Sequence, residues 1–275
     1  MNVIHPNPAD AVPFGVPGEP PPLLAVADLV KDYGGGRGCL GISFDLWPGE
    51  VLGIVGESGS GKTTLLDCLS CRLPADGGRI LYRGGDGECR DVLTLGEADR
   101  RALLRGEWGL VHQNPRDGLR LRVSAGANIG ERLMGRGARR YAAIRAAATD
   151  WLTRVEIPGE RTDDMPLTFS GGMQQRLQIA RTLVTEPRLV FMDEPTGGLD
   201  VSVQARLLDL IRTLVDEIGV ACVVVTHDLA VARLLAHRLL VMKDGRVIEQ
   251  GLTDQVLDDP HHPYTQLLVS SVLQV

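Results

Sequence analysis

The sequence predicts an α/β fold in which buried strands end at a phosphate-binding loop, with a helical subdomain inserted into the sheet domain. Three observations support this prediction. Apolar runs of strand length recur at residues 51–55, 189–192 and 220–225. The first run leads into a glycine-rich loop and then into a helix-compatible stretch. Residues 115–166 have many arginines and alanines and no strand-like run.

Length and composition limit the possible functions. At 275 residues with 44% hydrophobic side chains, the chain can bury the core of one large α/β domain carrying a smaller insert. A net charge of −6 offers no basic surface for nucleic acid, so we expect no nucleic-acid partner. No apolar run reaches the roughly 18 to 20 residues that cross a bilayer, and the start resembles no secretory signal. We therefore expect a cytoplasmic protein.

The expected domain organisation starts with a tail. Residues 1–22 hold seven prolines and little to bury, which is typical of a disordered segment. We expect one ordered domain over 23–275, with the helical subdomain at about 115–166 and a C-terminal tail at about 252–275. The charges of the helical insert suit a solvated face, but a partner could also dock there.

The first ordered elements are a predicted strand at 23–30 and a glycine-rich turn that carries Tyr33. The aromatic face of Tyr33 could stack on a nucleotide base. The alternative is a turn tyrosine packed on the domain, and the sequence favours neither.

The phosphate loop follows the strand at 51–55 and has the pattern G-x-x-x-x-G-K-T. Its glycines allow a tight nest in which successive N–H groups point at phosphate oxygens. Lys62 can then reach the β- and γ-phosphates, the Thr63 hydroxyl can bind Mg²⁺, and the following helix adds the positive end of its dipole. An ordinary glycine-rich turn is the lesser alternative. The loop comprises Gly56, Glu57, Ser58, Gly59, Ser60, Gly61, Lys62, Thr63 and Thr64.

Cysteines and a glutamine on either side of the next predicted helix, 94–105, leave alternatives open. The pair Cys68-x-x-Cys71 invites a redox or metal interpretation, but it lacks a second pair at zinc-finger spacing, and packing is favoured. Gln113 ends a predicted strand at 109–112, where side chains of an open sheet reach the ligand crevice. Its carbonyl could bind a metal or hold water, but a glutamine at such a position, taken alone, is more often a solvated loop residue.

A second anion site is predicted at residues 170–172. Ser170 is a good N-cap, and Gly171 and Gly172 let a ligand approach the backbone of the helix that follows. One nucleotide bound to a single chain has no obvious need for both this site and the phosphate loop.

Polar residues follow the two remaining buried strands. Asp193 can hold Mg²⁺ through water, and Glu194 is then free to orient the attacking water, although two acids can also simply cap a strand. His227 ends the strand at 220–225 and could sense a γ-phosphate, whereas a lone histidine is more often structural. Residues 239–251 predict a hairpin with its turn at 243–246.

The order of these motifs resembles that of the ABC-type ATPases over residues 23–251. The resemblance implies ATP and Mg²⁺ as cofactors, a mixed sheet core and an N-terminal antiparallel β part. It assigns adenine stacking to Tyr33, the Walker A loop to 56–64, the Q-loop to Gln113 and the signature to 170–172. It further makes Asp193 the Walker B acid and a metal ligand together with Thr63 and Gln113, Glu194 the catalytic carboxylate, Asp200 the D-loop acid and His227 the switch histidine.

The family assembles head to tail, so that the signature of one subunit closes over ATP on the Walker loop of another. The resemblance therefore implies a homodimer that needs both anion sites. One departure is Met173, where the family usually has glutamine, and we expect slower or partner-dependent turnover from it.

Two subfamilies resemble this chain in short sequence segments. Residues 200–205 and 262–268 resemble ATPases of peptide and nickel importers, whose partner is a membrane permease. Residues 111–120, 128–134 and 258–275 resemble the ATPases of the carbon–phosphorus lyase system, for which the expected partners are soluble lyase core subunits and a second ABC-type subunit. The resemblance favours the lyase role, which physical reasoning from the residues alone does not separate from the importer role. A nucleotide-gated clamp, in which ATP binding matters and hydrolysis is incidental, is a third hypothesis, suggested only by Met173.

Overall fold

The computed structural model describes residues 20–272, so the predicted proline-rich tail lies almost entirely outside the described residues. Ten strands occur within 20–272. In chain order they are β1 (Leu24–Asp32), β2 (Gly38–Leu46), β3 (Val51–Val55), β4 (Gly77–Arg83), β5 (Cys89–Asp91), β6 (Trp108–Val111), β7 (Leu189–Asp193), β8 (Ala221–Val225), β9 (Arg238–Lys243) and β10 (Arg246–Leu252).

The same part of the chain contains ten α-helices and three short 3₁₀ helices, the latter at Val92–Thr94, Gly159–Asp163 and Pro166–Thr168. The α-helices are α1 (Lys62–Leu69), α2 (Glu97–Gly106), α3 (Pro115–Gly118), α4 (Ala125–Gly135), α5 (Tyr141–Arg154), α6 (Gly171–Leu183), α7 (Val201–Ile218), α8 (Leu229–Leu235), α9 (Thr253–Asp258) and α10 (Pro263–Val272). None of these helices combines the length and apolar character needed to cross a bilayer.

The strands form two sheets. The N-terminal sheet has four antiparallel strands in the order β2-β1-β4-β5, in which Leu24 pairs with Leu46 on one side and Tyr82 on the other. The central sheet has six strands in the order β10-β9-β3-β8-β7-β6; its strands are parallel except for the β9–β10 hairpin. The predicted mixed core, antiparallel β part and hairpin are confirmed.

The central parallel strands carry the site. Strands β3, β7 and β8 are buried on both faces, which explains their continuous apolar sequences. Because they are parallel neighbours, their carboxyl ends meet at one edge of the sheet. The phosphate loop, the acids after β7 and the polar residues after β8 therefore lie at that edge.

Packing of α1 and the aromatic residues anchors the sheet behind this edge. Trp108 packs edge-on against Tyr82 and Phe191, with ring centroids 5.1 and 5.3 Å apart. Cys68 is buried in the same core and Cys71 packs against it; both are free thiols. Burial raises the pKa of Cys71 to about 11, which disfavours a reactive thiolate.

Residues 115–166, all of which the structure describes, contain helices α3, α4 and α5 and no strand. The amide of buried Asn128 ties α4 to the preceding loop, since it donates to the carbonyls of Arg120, Val123 and Ser124 and accepts from Arg120 N. The C-terminal residues, predicted only as a tail, form α9 and α10. These helices form because Val256, Leu257 and Leu268 pack against the main core.

Candidate functional site

The phosphate loop joins β3 to α1 and needs glycine at specific points. Gly56, Gly59 and Gly61 have φ angles of +149°, +85° and +100°, in the left-handed region that side chains rarely adopt. A Cβ on Gly61 would lie 1.9 Å from the carbonyl oxygen of Gly38. Gly61 is also the N-cap of α1 and supplies no side-chain cap, which leaves the first N–H groups of the helix for an anion.

Replacing Gly61 by Ala should therefore abolish nucleotide binding with a smaller effect on the fold. The new Cβ collides with backbone, so the loop must rearrange, whereas the sheet behind it keeps its packing. Titration with a fluorescent ATP analogue and thermal unfolding would check this. Gly59→Ala is the control, because a Cβ there meets nothing within 4 Å and only the φ strain remains; equal affinities of Gly61→Ala and the unmodified chain would contradict the prediction.

A cavity of about 700 Å³ opens beside the loop. It is large enough for a nucleotide, since small-molecule sites commonly span roughly 300–1,000 Å³. Most residues predicted for the site line this cavity. They are Tyr33, Gly56, Ser58, Gly59, Gly61, Lys62, Thr63, Thr64, Gln113, Glu194 and His227.

Lys62 is buried inside the loop, with 7% of its surface exposed. Its Nζ donates to the carbonyl oxygens of Gly56 and Glu57, each at 2.8 Å. Burial lowers the pKa of Lys62, and the nearby carboxylates of Glu194 and Asp193 oppose that effect. The charged ammonium is thus held at the base of the cavity, where a phosphate could pair with it. Ser60 is buried next to it, and its hydroxyl has no partner.

Asp193 fits a metal ion. The residue is buried at the end of β7, and its Oδ1 has no hydrogen-bond partner. Burial is the main reason that its pKa is raised, with the carboxylates of Asp67 and Glu194 adding to the effect. A buried, partnerless carboxylate oxygen is costly unless a cation compensates it, and Mg²⁺ prefers oxygen ligands. The residues present therefore suit the predicted Mg²⁺.

Glu194 and His227 form a hydrogen-bonded pair. The register of β7 and β8 places Asp193 opposite Val225, so the residues that follow each strand meet. The carboxylate of Glu194 accepts from Thr226 Oγ1 at 3.1 Å and from His227 N at 3.0 Å, and its Oε1 lies 2.7 Å from His227 Nδ1. Glu194 has a φ of +43°, a strained conformation for a non-glycine residue. His227 is two-thirds exposed and lines the cavity.

The residues predicted as the signature lie elsewhere. Within residues 20–272, the cavity wall does not include Ser170, Gly171, Gly172 or Asp200. Ser170 is the exposed N-cap of α6, its Oγ accepting from Met173 N at 3.3 Å, and Asp200 is the exposed N-cap of α7. The second predicted anion site is thus presented at the surface of the chain, apart from the phosphate loop.

Met173 is held by its neighbours rather than projecting freely. Its sulfur accepts from Arg161 Nη1 at 3.5 Å, and Arg161 also stacks on Phe169, 4.5 Å from the ring centroid. The side chain therefore belongs to a packed cluster with Arg161 and Phe169 near the start of α6.

Sequence reasoning missed Arg37, Tyr264 and Leu268. Arg37 and Leu268 line the cavity, and Tyr264 Oη accepts a hydrogen bond from Glu57 N at 3.0 Å. Arg37 directly follows the predicted glycine-rich turn, and that turn could have indicated its position near the site. Tyr264 is 207 residues from Glu57, and no spacing rule connects the two.

Comparisons with known proteins match most of this chain. A family model described as "ABC transporter" matches residues 39–197, and one described as "Oligopeptide/dipeptide transporter, C-terminal region" matches residues 248–275. The phosphonates utilization ATP-binding protein PhnK of Escherichia coli (strain K12) is 70% identical over 92% of this chain and 98% of its own length. The dipeptide transport ATP-binding protein DppF of the same strain is 36% identical, over 91% of this chain and 76% of its own length.

Solved structures share the fold. The ATP-binding cassette MJ0796, in a dimeric post-hydrolysis state bound to ADP and Pi, has a TM-score of 0.73 and 29% identity, covering 84% of this chain and 98% of that one. The structure of cbiO1 from Clostridium perfringens, part of the ABC transporter complex cbiONQ, has a TM-score of 0.75 and 28% identity. The match covers 92% of this chain and 96% of that one.

Proposed function

The chain belongs to the ABC transporter family, and from that premise we propose that it is the ATP-hydrolysing subunit of the carbon–phosphorus lyase system of phosphonate catabolism. The observation that carries this proposal is the 70% identity to a phosphonates utilization ATP-binding protein over nearly the full length of both chains. The cavity beside the phosphate loop supplies the site for ATP. We place its action in the cytoplasm, where a soluble lyase core would be its partner.

ATP would lie along the cavity from Tyr33 to the phosphate loop. The ring of Tyr33, half exposed at one end, can stack on adenine, and the loop N–H groups and Lys62 would hold the phosphates. Mg²⁺ would be held by the Thr63 hydroxyl, the Gln113 carbonyl and, through water, Asp193; it neutralises charge on the phosphates.

Hydrolysis depends on the pair at the end of β7 and β8. The Glu194 carboxylate accepts a hydrogen bond from the attacking water and so orients it toward the γ-phosphorus. Thr226 and His227 hold that carboxylate in place through the three contacts described above. The exposed edge of the His227 ring is then available to the γ-phosphate, which links the presence of ATP to the position of Glu194.

Replacing His227 by Ala should lower the ATP turnover number by about 10-fold or more and leave ATP affinity within about threefold. The variant loses the ring contact to Glu194, which is worth roughly 1.5–3 kcal/mol for a charged group, while the phosphate loop is unchanged. Steady-state hydrolysis and ATP titration would measure the two quantities. His261→Ala, at an exposed histidine away from the cavity, is the control. A fall in affinity without a fall in turnover would show that this role is wrong.

Two copies would complete each site. The exposed Ser170 N-cap and its glycines form an anion site that the cavity of the same chain does not use. A head-to-tail pair would place that helix start over ATP on the partner's loop, in a two-fold arrangement. Both MJ0796 structures are dimeric, which supports this arrangement. Closure on ATP and opening after hydrolysis would then remodel the soluble enzyme core.

An affinity pull-down tests the lyase role. The Glu194→Gln variant, purified with Mg-ATP from cells grown on a phosphonate as sole phosphorus source, should retain soluble lyase subunits, identified by mass spectrometry. The same bait with ADP is the control and should retain fewer of them. Recovery of a polytopic permease instead would overturn the proposal.

The second candidate is the ATP-binding subunit of a peptide or nickel importer. The match of residues 248–275 to a peptide transporter C-terminal region favours it, as do relatives such as DppF. Against it, DppF and the Bacillus subtilis oligopeptide transport protein OppD are each 36% identical to this chain, compared with 70% for PhnK. The pull-down separates the two candidates, because a permease is the importer's required partner.

A further inference from the structure

The C-terminal helix touches the phosphate loop at one defined point. Helix α10 begins at Pro263, and the hydroxyl oxygen of the next residue, Tyr264, accepts a hydrogen bond from Glu57 N at 3.0 Å. We infer that Tyr264 is a positioning residue for ATP, which fixes the entrance of the phosphate loop so that Lys62 is aimed at the phosphates. This inference deepens the proposed function and rests on it.

Glu57 connects Tyr264 to Lys62. Its N–H is held by Tyr264 Oη, and its carbonyl oxygen accepts from Lys62 Nζ at 2.8 Å. The preceding residue, Gly56, has a φ of +149° and lies so close to Met242 that a Cβ would be 2.2 Å from the Met242 carbonyl oxygen. The loop entrance is thus fixed by backbone contact on one side and by the tyrosine on the other. Freeing the N–H of Glu57 would let the carbonyl that orients Lys62 move.

The phenol itself is held by rigid elements. Tyr264 N donates to His262 Nδ1 at 3.1 Å, and the N–H groups of His261 and His262 donate to the carboxylate of Glu249 on β10 at 2.8 and 3.0 Å. From the end of β9, Lys243 Nζ lies over the Tyr264 ring, 4.8 Å from its centroid. The tyrosine is therefore positioned by the central sheet, although it belongs to the last helix.

The same face of α10 reaches the cavity. Leu268 lies four residues after Tyr264, one helical turn away, and lines the cavity wall. Its neighbour Leu267 points outward and is 67% exposed. One helix face therefore supplies both the contact to the loop and part of the ATP-facing surface.

The Tyr264→Phe variant tests this role because it removes the acceptor and keeps the ring. We expect the dissociation constant of a fluorescent methylanthraniloyl-ATP to rise about 3- to 10-fold, the range of one lost hydrogen bond. The KM for ATP should rise in parallel, and kcat should stay within about twofold, since Glu194 and His227 are untouched. Hydrogen exchange at the peptide containing Glu57 should accelerate in the nucleotide-free variant. Tyr141→Phe, at a tyrosine that is 73% exposed on α5, is the matched control.

The possible outcomes are distinct. If the full chain binds no ATP, both the proposed function and this inference are wrong. If the full chain binds ATP and Tyr264→Phe binds it equally well, only the inference is wrong. A variant with a lower unfolding temperature but unchanged KM and exchange at Glu57 would show that Tyr264 merely packs the C-terminal helix, which also overturns the inference.

Discussion

Replacing Glu194 by Gln is expected to lower the ATP turnover number by about 10²- to 10⁴-fold, the usual contribution of a positioned general base. Glutamine keeps the size of the side chain but removes the negative charge that polarises the attacking water. The amide of glutamine can replace only some of the three contacts that the carboxylate now makes with Thr226 and His227. ATP binding should persist, because Lys62 and the loop N–H groups are unchanged.

Phosphate release under saturating Mg-ATP measures the turnover number, and filter binding of labelled ATP measures retention. Glu160→Gln is the control: this glutamate is exposed in the 3₁₀ helix Gly159–Asp163 and lies outside the cavity wall. A turnover number within tenfold of that of the unmodified chain would show that Glu194 does not activate the attacking water. The variant also tests the clamp hypothesis, since a clamp would keep its biological activity without hydrolysis, whereas a motor would lose it.

Replacing Lys62 by Ala is expected to weaken ATP binding by about 10²-fold. The change removes a buried ammonium that is poised at the base of the cavity, and hydrogen bonds to charged groups contribute roughly 1.5–3 kcal/mol each. It also frees the carbonyls of Gly56 and Glu57, so the loop loses two internal hydrogen bonds. Both effects weaken the complex with ATP before hydrolysis, so the KM for ATP should rise strongly.

Calorimetric titration with ATP gives the affinity. Arg101→Ala removes a cation that is 56% exposed and pairs with Glu97 on α2, and should leave the affinity unchanged. Affinity of Lys62→Ala within threefold of the unmodified chain would mean that ATP does not bind at this loop.

Local signals predicted most of this structure. Buried parallel strands have continuous apolar sequences, so β3, β7 and β8 could be predicted from the sequence. Because these strands are parallel, the residues that follow them meet at one edge of the sheet. The glycine pattern of the loop reflects a backbone requirement, which the φ of +100° at Gly61 shows directly. Helix α2 was also predicted, although residues 92–94 form a separate 3₁₀ helix because Asp91 caps that turn.

Contacts between distant parts of the chain could not be predicted. The bond between Glu57 and Tyr264 depends on how α10 packs against the core, and no periodicity in either segment encodes it. The partnerless Oδ1 of Asp193 and the 2.7 Å contact of Glu194 to His227 depend on the register of β7 against β8, which apolar runs do not specify. The separation of Ser170 from the cavity likewise required the positions of α6 and α7.

The central claim is that the cavity is half of a shared site, completed by the Ser170 helix start of a second copy. Light scattering of the Glu194→Gln variant during size-exclusion chromatography tests it most directly. With Mg-ATP the measured mass should be twice the 29.7 kDa of the chain. Without nucleotide, or when Ser170 is also replaced by Arg, the mass should be that of a single chain. A mass of one chain at saturating Mg-ATP, with ATP shown to be bound, would contradict the account.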